Sequence, residues 1–244
     1  MRSVTLRFLT ARWESLAFLN YRCPPEFLKP LVPEGTELDS WHGTNLSLVG
    51  FRFVDTRVAG IPIPGHRTFE EVNLRFYVRR DGPEGIRRGV VFIRELVPKR
   101  LIAFVARAAY NEPYLRLPMS HEVRLDSGAG GQVTYSWDHR GLAHSLTARV
   151  RGPASLPGPA TEAEFITEHY WGYSRQSGGR TLEYRVDHPS WLVWECDDAR
   201  YSAPRESTLY GSDFSAALAS PPTSAFVAVG SEVEVFGGLM LDTV

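Results

Sequence analysis

The sequence predicts a mainly β protein of α+β class, built from antiparallel strands with two or three covering helices. Many short segments rich in β-branched and aromatic residues are separated by turn residues, which is typical of barrels and sandwiches. Apolar residues at helical spacing are few by comparison. Because about ten strands in one open sheet would leave long exposed edges, we expect closure into a barrel or folding into two packed layers.

The strand candidates follow one another from residue 44 to residue 236. They are Thr44–Asp55, Phe69–Arg79, Gly89–Arg94, Glu122–Asp126, Gln132–Trp137, His144–Val150, Arg180–Val186, Trp191–Cys196, Ala225–Val229 and Glu232–Phe236. Turn residues at 82–85, 128–131 and 138–141 predict hairpin connections between several of them.

Three helices are predicted. The first covers Pro24–Val32, where prolines lie near the start, as the first turn of a helix tolerates. The second covers Pro98–Tyr110. The third begins at Thr161, which forms a capping-box pattern with Glu164.

Length and composition predict one domain, residues 1–244. Hydrophobic residues make up 43% and charged residues 23% of the chain, as in an ordinary globular protein. The segment 151–160 is rich in Gly and Pro, but strands continue on both sides, so it is interpreted as a long loop within that domain. The net charge of −1 gives no indication of a nucleic-acid partner or of an acidic membrane surface.

Cysteine content and apolar runs predict a cytoplasmic protein. The N-terminal residues 1–7 lack a long apolar run, so no signal peptide is expected. No stretch is long and apolar enough for a transmembrane helix. Cys23 and Cys196 lie far apart and do not form a disulfide framework, which fits a reducing compartment.

The strand Phe69–Arg79 carries the strongest indication of a site. Successive side chains of a strand point to opposite faces, so Glu71, Asn73, Arg75 and Tyr77 share one face. The opposite face is entirely apolar. The polar face is either solvated, as in the wall of an antiparallel sheet, or it lines a small-molecule cavity.

Three segments, residues 21–39, 69–78 and 106–119, resemble the YqjF-like family of bacterial proteins. The second half of the chain resembles it more loosely, around Phe165 and at 188–191. That family is similar in fold to acetoacetate decarboxylase. The resemblance implies an antiparallel β-barrel or cone that encloses a pocket, with a few helices outside, and it favours the cavity interpretation of the polar face.

The resemblance also implies that the decarboxylase chemistry is lost. In that enzyme a lysine follows a proline and forms an imine, and a second lysine beside it lowers its pKa. In the matching segment Pro113 is followed by Tyr114 and Leu115, neither of which can form an imine. The catalytic glutamate of the enzyme matches Glu71 or Glu70. If the segments align differently, Lys99 becomes the imine candidate.

Six residues are therefore predicted to contact a ligand. Arg75 would bind a carboxylate or phosphate through its two-pronged guanidinium, and Glu71 would act as an acid, a base or an acceptor. Tyr114 would donate a hydrogen bond, and His121 follows it closely in the sequence. The full set is Glu71, Asn73, Arg75, Tyr77, Tyr114 and His121.

No cofactor and no metal are predicted. The seven histidines form no pair at metal-binding spacing, and the chain has no Cys-x-x-Cys sequence. A dinucleotide-binding glycine motif, a phosphate loop and a nucleophile elbow are also missing.

Two functions of different class follow. The preferred hypothesis is a cytoplasmic barrel that binds a small anionic molecule without a Schiff-base lysine. The alternative is an enzyme that acts on a keto acid or related carbonyl compound with Glu71 as general acid or base. A purely structural or interaction protein is a third interpretation. The expected partner is a small molecule, with no nucleic acid and no membrane, and assembly into a homo-oligomer stays open.

Overall fold

The structure is a computed structural model that describes residues 6–99, 110–126 and 128–241. These residues form fifteen strands, three α-helices and one 3₁₀ turn. The strands are β1 (Arg7–Arg22), β2 (Glu37–Leu38), β3 (Asn45–Val58), β4 (Ile61–Pro62), β5 (Phe69–Gly82), β6 (Gly85–Val97), β7 (Tyr114–Arg116), β8 (Met119–Asp126), β9 (Gly130–His139), β10 (Leu142–Arg151), β11 (Trp171–Arg175), β12 (Thr181–Asp187), β13 (Val193–Ser202), β14 (Ser224–Phe236) and β15 (Leu239–Met240). The helices are α1 (Pro25–Leu28), α2 (Glu162–Thr167) and α3 (Gly211–Leu218), and the 3₁₀ turn is Lys29–Leu31.

Seven strands hydrogen-bond into a ring, in the order β1, β3, β5, β6, β11, β12, β14 and back to β1. Long antiparallel pairings form most of this ring. It closes through two short contacts: the parallel pairing of β6 with β11 and the two-residue pairing of β12 with β14. The predicted mainly β, antiparallel barrel with few helices is confirmed, although its wall is thinnest at these two contacts.

A second layer covers part of the outside of the ring. Strands β13, β10, β9 and β8 continue from β14 and form this outer sheet. Val72, Leu74 and Phe76 of β5 are buried in the core between the two layers, together with Tyr135 of β9 and Leu146 of β10. Burial of this apolar face is the main hydrophobic contribution to stability that the strand makes.

The opposite face of the ring encloses a second apolar core. Phe18, Phe51 and Val49 point inward there, and α2 adds Phe165 and Ile166. The helix begins as predicted, because the Thr161 side chain accepts a hydrogen bond from the Glu164 backbone N–H at 3.2 Å. The side chain of Glu164 in turn accepts from the N–H of Ala160 at 2.6 Å.

Most predicted strands are present, and most are longer than predicted. The two strands predicted near the C-terminus are one strand, β14, and the strand predicted from Trp191 starts at Val193. The predicted helix Pro98–Tyr110 lies almost entirely outside the described residues. Cys23 is buried, Cys196 is half-buried, and both are free thiols.

Strand β1 is the longest strand, and the sequence analysis did not predict it. Its inward-facing residues include Leu9, Ala11 and Trp13 before Ser15, but Leu16 and Phe18 after it. Ser15 has a φ of 55°, and the pairing of β1 with β3 shifts register there, so the strand carries a bulge. A bulge moves every later side chain to the other face and hides the alternation that marks a strand. Strand β11 and helix α3 were also missed.

Among the described residues, no helix combines the length and the apolar character needed to cross a lipid bilayer.

Gly50→Ala should destabilise the protein by about 1–3 kcal/mol, because the two layers approach closely at Gly50. A Cβ at this position would lie 2.5 Å from the Tyr135 ring. Chemical denaturation measures the loss. Gly128→Ala is the matched control, since its Cβ would meet only a side-chain oxygen at 3.6 Å. Equal stability of the two variants would contradict the close approach of the layers.

Candidate functional site

The ring encloses a cavity of about 130 Å³. Its wall is mainly apolar and aromatic, and a few polar side chains converge on one part of it. The aromatic lining residues are Phe8, Trp13, Phe51, Phe53, Phe69, Phe92, Tyr110, Tyr114, Trp171, Tyr184 and Trp191. The polar and charged lining residues are Glu71, Asn73, Arg75, Glu95, Glu112, Thr167, His169 and His188. This combination is common in small-molecule sites.

The strand register brings the polar lining together. Asn73 of β5 lies directly opposite Glu95 of β6, and Glu95 lies opposite Tyr114 of β7. Glu71 is two residues from Asn73, on the same face. The neighbouring strands therefore place these side chains side by side on the inner wall.

Three carboxyl groups, Glu71, Glu95 and Glu112, form what we call the carboxyl cluster. Glu71 accepts hydrogen bonds from Asn73 Nδ2 and from the Tyr114 hydroxyl, both at 3.1 Å. Glu112 accepts one from the Tyr184 hydroxyl at 2.8 Å. All three glutamates are at most 5% exposed.

Burial dominates the protonation of this cluster. It raises the pKa of Glu71 to about 7, although the hydrogen bonds from Asn73 and Tyr114 and the charge of Arg75 lower it. Burial also raises the pKa of Glu112 to about 8, and the charge of Glu71 adds to this. The pKa of Glu95 is raised well above its usual range by burial and by the charges of Glu112 and Glu71. Because the groups interact, their protons leave in steps that belong to the cluster as a whole.

Arg75 is the cation of the cavity. Its guanidinium lies 5.2 Å from the centre of the Phe18 ring and 5.8 Å from that of Tyr77, within cation–π range. None of the ion pairs among the described residues includes Arg75, and its buried Nε has no hydrogen-bond partner among them. The guanidinium is therefore available to an anionic group in the cavity.

His169 enters the cavity wall just after α2. Its Nε2 lies 3.5 Å from Asp39 Oδ2, and both side chains are almost completely buried. Burial lowers the pKa of His169, although the nearby Asp39 opposes this shift. The imidazole therefore favours its neutral form, in which one ring nitrogen can accept a proton.

Two of the predicted ligand contacts, Tyr77 and His121, do not line the cavity. The Tyr77 hydroxyl bonds Ser47 Oγ at 2.7 Å, and its ring packs on His169. His121 is exposed on the outer sheet, where it pairs with Glu70. Alternation on β5 assigned Tyr77 to the correct face. Its side chain extends towards β3, however, where its hydroxyl bonds Ser47 and not a group in the cavity.

Neither of the two lysines of the chain lines the cavity. Lys29 is exposed beside α1, and Lys99 is half-buried beyond the end of β6. Within the described part of the chain, no three His, Cys, Asp or Glu side chains are arranged to hold a metal ion.

The sequence analysis did not place Glu95, Glu112, Tyr184 or His169 among the site residues. Glu95 was missed because the predicted strand ended at Arg94, whereas β6 continues to Val97. The pairing of β5 with β6 also shifts register at Ile93 of β6. Val90 and Phe92 face the cavity before this irregularity, and Glu95 does so after it. Simple alternation assigns Glu95 to the wrong face. Tyr184 was detectable, because it alternates with Leu182 and Val186 on an apolar face of β12.

A family model, DUF2071, described as "Uncharacterized conserved protein (COG2071)", matches residues 10–233. The uncharacterized protein YqjF of Bacillus subtilis (strain 168) is 28% identical over 186 residues, which cover 74% of this chain and 73% of YqjF. The resemblance to YqjF-like proteins is thus confirmed.

Solved structures show the same fold at low sequence identity. The enduracididine biosynthesis enzyme MppR, complexed with pyruvate, superposes with a TM-score of 0.67 at 15% identity over 99% of this chain and 93% of that one. An acetoacetate decarboxylase-like enzyme from Sphingomonas wittichii RW1 also gives 0.67 at 15% identity, over 97% and 93%. Acetoacetate decarboxylase from Legionella pneumophila gives 0.66 at 13% identity, over 98% and 88%. The acetoacetate decarboxylase-like fold is confirmed.

Stability should fall as the pH rises through neutrality. Glu71 and Glu112 have raised pKa values in the folded protein, so the folded state binds more protons than the unfolded state above about pH 4.5. The stabilisation is complete below the unfolded pKa and is lost as the pH passes about 7 and about 8. Chemical denaturation between about pH 5 and about pH 8.5 should show a decrease in the free energy of unfolding. Glu71→Gln should make this decrease smaller by roughly 1–3 kcal/mol.

The exposed carboxylate of Glu122 on β8 is the control for this titration. Glu122→Gln should leave the fall unchanged, because its side chain is in solvent beside Arg124. A stability profile of Glu71→Gln identical to that of the wild type would show that Glu71 does not titrate near neutrality.

Proposed function

The chain belongs to the DUF2071 family, and we propose that it binds a small carboxylic acid with an apolar body in the barrel cavity. The carboxylate of this ligand would pair with Arg75, and its body would lie against the aromatic wall. The observation that carries the proposal is the guanidinium of Arg75, which lines a mainly apolar and aromatic cavity and has no ion-pair partner among the described residues. The proposal needs no lysine imine.

Charge considerations favour an anionic group at Arg75. Arg75 is half-buried, and partial burial of a cation without a partner is unfavourable. A carboxylate offers a guanidinium two parallel charge-assisted hydrogen bonds. The rings of Phe18 and Tyr77 stabilise the positive charge of Arg75 without neutralising it. A carboxylate ligand would supply the direct ion pair that Arg75 does not form with any described residue.

Cavity size limits the ligand. A volume of about 130 Å³ is comparable with the roughly 150 Å³ apolar cavity that holds benzene in another protein. A short acyl chain or a single ring therefore suits the space. Pyruvate is bound by the structural neighbour MppR, which makes it a reasonable first probe together with more apolar keto and fatty acids.

Arg75→Gln should weaken binding of valerate or an apolar keto acid by roughly 10- to 100-fold, because a charge-assisted hydrogen bond contributes about 1.5–3 kcal/mol. Isothermal titration calorimetry measures the affinity, and thermal shift gives an independent readout. Arg79→Gln is the matched control, since Arg79 lies on the same strand but pairs with Glu37 at the surface. Equal weakening by both variants, or none by Arg75→Gln, would refute the carboxylate site.

A second candidate function is acid–base catalysis on an enolisable keto acid. The observation that favours it is a buried carboxyl group whose pKa is raised to about 7 at the cavity wall. A general acid or base works best when its pKa lies near the operating pH. Glu71 is also held in place by hydrogen bonds from Asn73 and Tyr114, which fixes its direction. Binding and catalysis share the same cavity and differ only in what Glu71 does.

Glu71→Gln should slow proton exchange at the methyl group of pyruvate by about 100-fold or more, because removal of a general base typically costs this factor. Loss of the methyl proton signal in D₂O, followed by NMR, measures the exchange. Borohydride treatment in the presence of pyruvate should leave the mass of the protein unchanged, since no lysine lines the cavity. Exchange at the spontaneous rate with the wild type, or an unaffected rate in Glu71→Gln, would exclude this function.

A further inference from the structure

The charged side chains of the cavity lie at two ends that favour ligand groups of opposite charge. Arg75 marks one end, and the carboxyl cluster marks the other. Along β5, Glu71 and Arg75 are four residues apart, which separates their Cα atoms by about 13 Å. A small molecule with a different polar group at each end can therefore contact Arg75 with one group and the carboxyl cluster with the other.

We propose that the carboxyl cluster binds a protonated amine, so that the ligand of the cavity is an amino acid whose amine and carboxylate lie at opposite ends of a short apolar chain. This inference rests on the proposed function, because it adds an amine subsite to the carboxylate site at Arg75. It names the class of ligand more narrowly than the proposed function does.

Unpartnered acceptor atoms are the first argument. Asn73 Oδ1 and Glu95 Oε2 are buried and have no hydrogen-bond partner among the described residues. They belong to directly opposed residues of β5 and β6, on the face that lines the cavity. Asn73 uses its Nδ2 to bond Glu71, so its oxygen can only accept. A donor satisfies Asn73 Oδ1, and it satisfies Glu95 Oε2 when that carboxyl group is ionised. An ammonium carries three donors and no acceptor.

The charge of the cluster is the second argument. Among the described residues, no Arg, Lys or His forms an ion pair with Glu71, Glu95 or Glu112. Buried carboxylates without a cation are strongly disfavoured. Protons can neutralise the cluster when it is empty. A ligand cation would supply the same charge and add hydrogen bonds to the acceptor atoms.

Aromatic rings near the cluster are the third argument. Tyr184, which donates to Glu112, packs edge-on against Tyr110 at 4.7 Å between ring centres. Tyr110 in turn contacts Phe8 at 5.2 Å. All three rings line the cavity. Ring faces together with carboxylates are the surroundings in which proteins bind alkylammonium groups.

Proton and amine would compete for the same carboxyl groups. The other titratable or charged groups that line the cavity are Arg75, Tyr110, Tyr114, His169, Tyr184 and His188. A primary alkylamine keeps its proton to about pH 10. Amine binding should therefore strengthen as the pH rises through neutrality, whereas binding of a simple carboxylate should not.

Calorimetric titration at about pH 8.5 with valerate, δ-aminovalerate and amylamine tests the amine subsite. Titration with γ-aminobutyrate and ε-aminocaproate varies the distance between the amine and the carboxylate. We expect the best amino acid to bind at least about 10-fold tighter than the matching simple acid, a gain equivalent to one good charged hydrogen bond. Glu95→Gln should remove this gain, measured as the ratio of the amino-acid affinity to the valerate affinity within the same variant. Glu122→Gln is the surface control and should change neither affinity. Circular dichroism and thermal unfolding show whether Glu95→Gln is folded.

The outcomes separate the two proposals. If no amino acid binds tighter than its simple acid while Arg75→Gln still weakens valerate binding as predicted, the amine subsite is overturned and the carboxylate site stands. If amylamine binds in a Glu95-dependent way but valerate does not, the amine subsite is supported and the site at Arg75 is overturned. If none of the compounds binds, both fail. An amino-acid affinity that is the same at about pH 6 and about pH 8.5 would also count against the amine subsite.

Discussion

Burial of strand β5 on both faces is the constraint on which the rest of the structure depends. Its apolar face packs against the outer sheet, and its polar face looks into the ring, where helix α2 and an aromatic wall exclude most of the solvent. A polar side chain on the inner face must therefore find a partner within the protein or in a ligand. This requirement explains why Glu71 is hydrogen-bonded on both oxygens, and why its pKa lies near neutrality instead of in the usual carboxylate range.

Regular alternation made the fold and one part of the site predictable, and bulges hid the rest. Glu71, Asn73 and Arg75 follow a strict two-residue period, so their shared face could be derived from the sequence. Strand β1 and Glu95 could not be derived, because irregularities at Ser15 in β1 and at Ile93 in β6 change which side chains point inward. Glu112 follows residues 100–109, which the structure does not describe, and no local pattern links it to Glu71. Only the three-dimensional closure of the ring brings it into the same cavity.

The electrostatics of this cavity differ from those that an imine-forming site requires. Such a site needs a desolvated or cation-flanked amine, whose proton is lost because positive charge is disfavoured there. Here the segment that resembles the lysine segment carries Tyr114, and the nearest titratable neighbours are carboxyl groups. Carboxyl groups that are buried together favour the uptake of positive charge, as protons or as a ligand cation. The fold is acetoacetate decarboxylase-like, while the buried carboxyl groups around Tyr114 make the cavity of this chain favourable for positive charge.

If the cavity binds a charged ligand as proposed, the charge of that ligand would determine the protonation state of Glu71. Arg75 lowers the pKa of Glu71, so a carboxylate that neutralises Arg75 would raise this pKa and leave the group protonated, as an acid or a donor. An ammonium at the carboxyl cluster would act in the opposite direction and leave Glu71 ionised, as a base or an acceptor. A ligand with both groups would balance the two effects and keep the pKa near 7, where proton transfer in either direction is easiest. In the proposed function, binding and acid–base chemistry would therefore be coupled through the Glu71 carboxyl group, and the chemical class of the ligand would set the protonation state of that group.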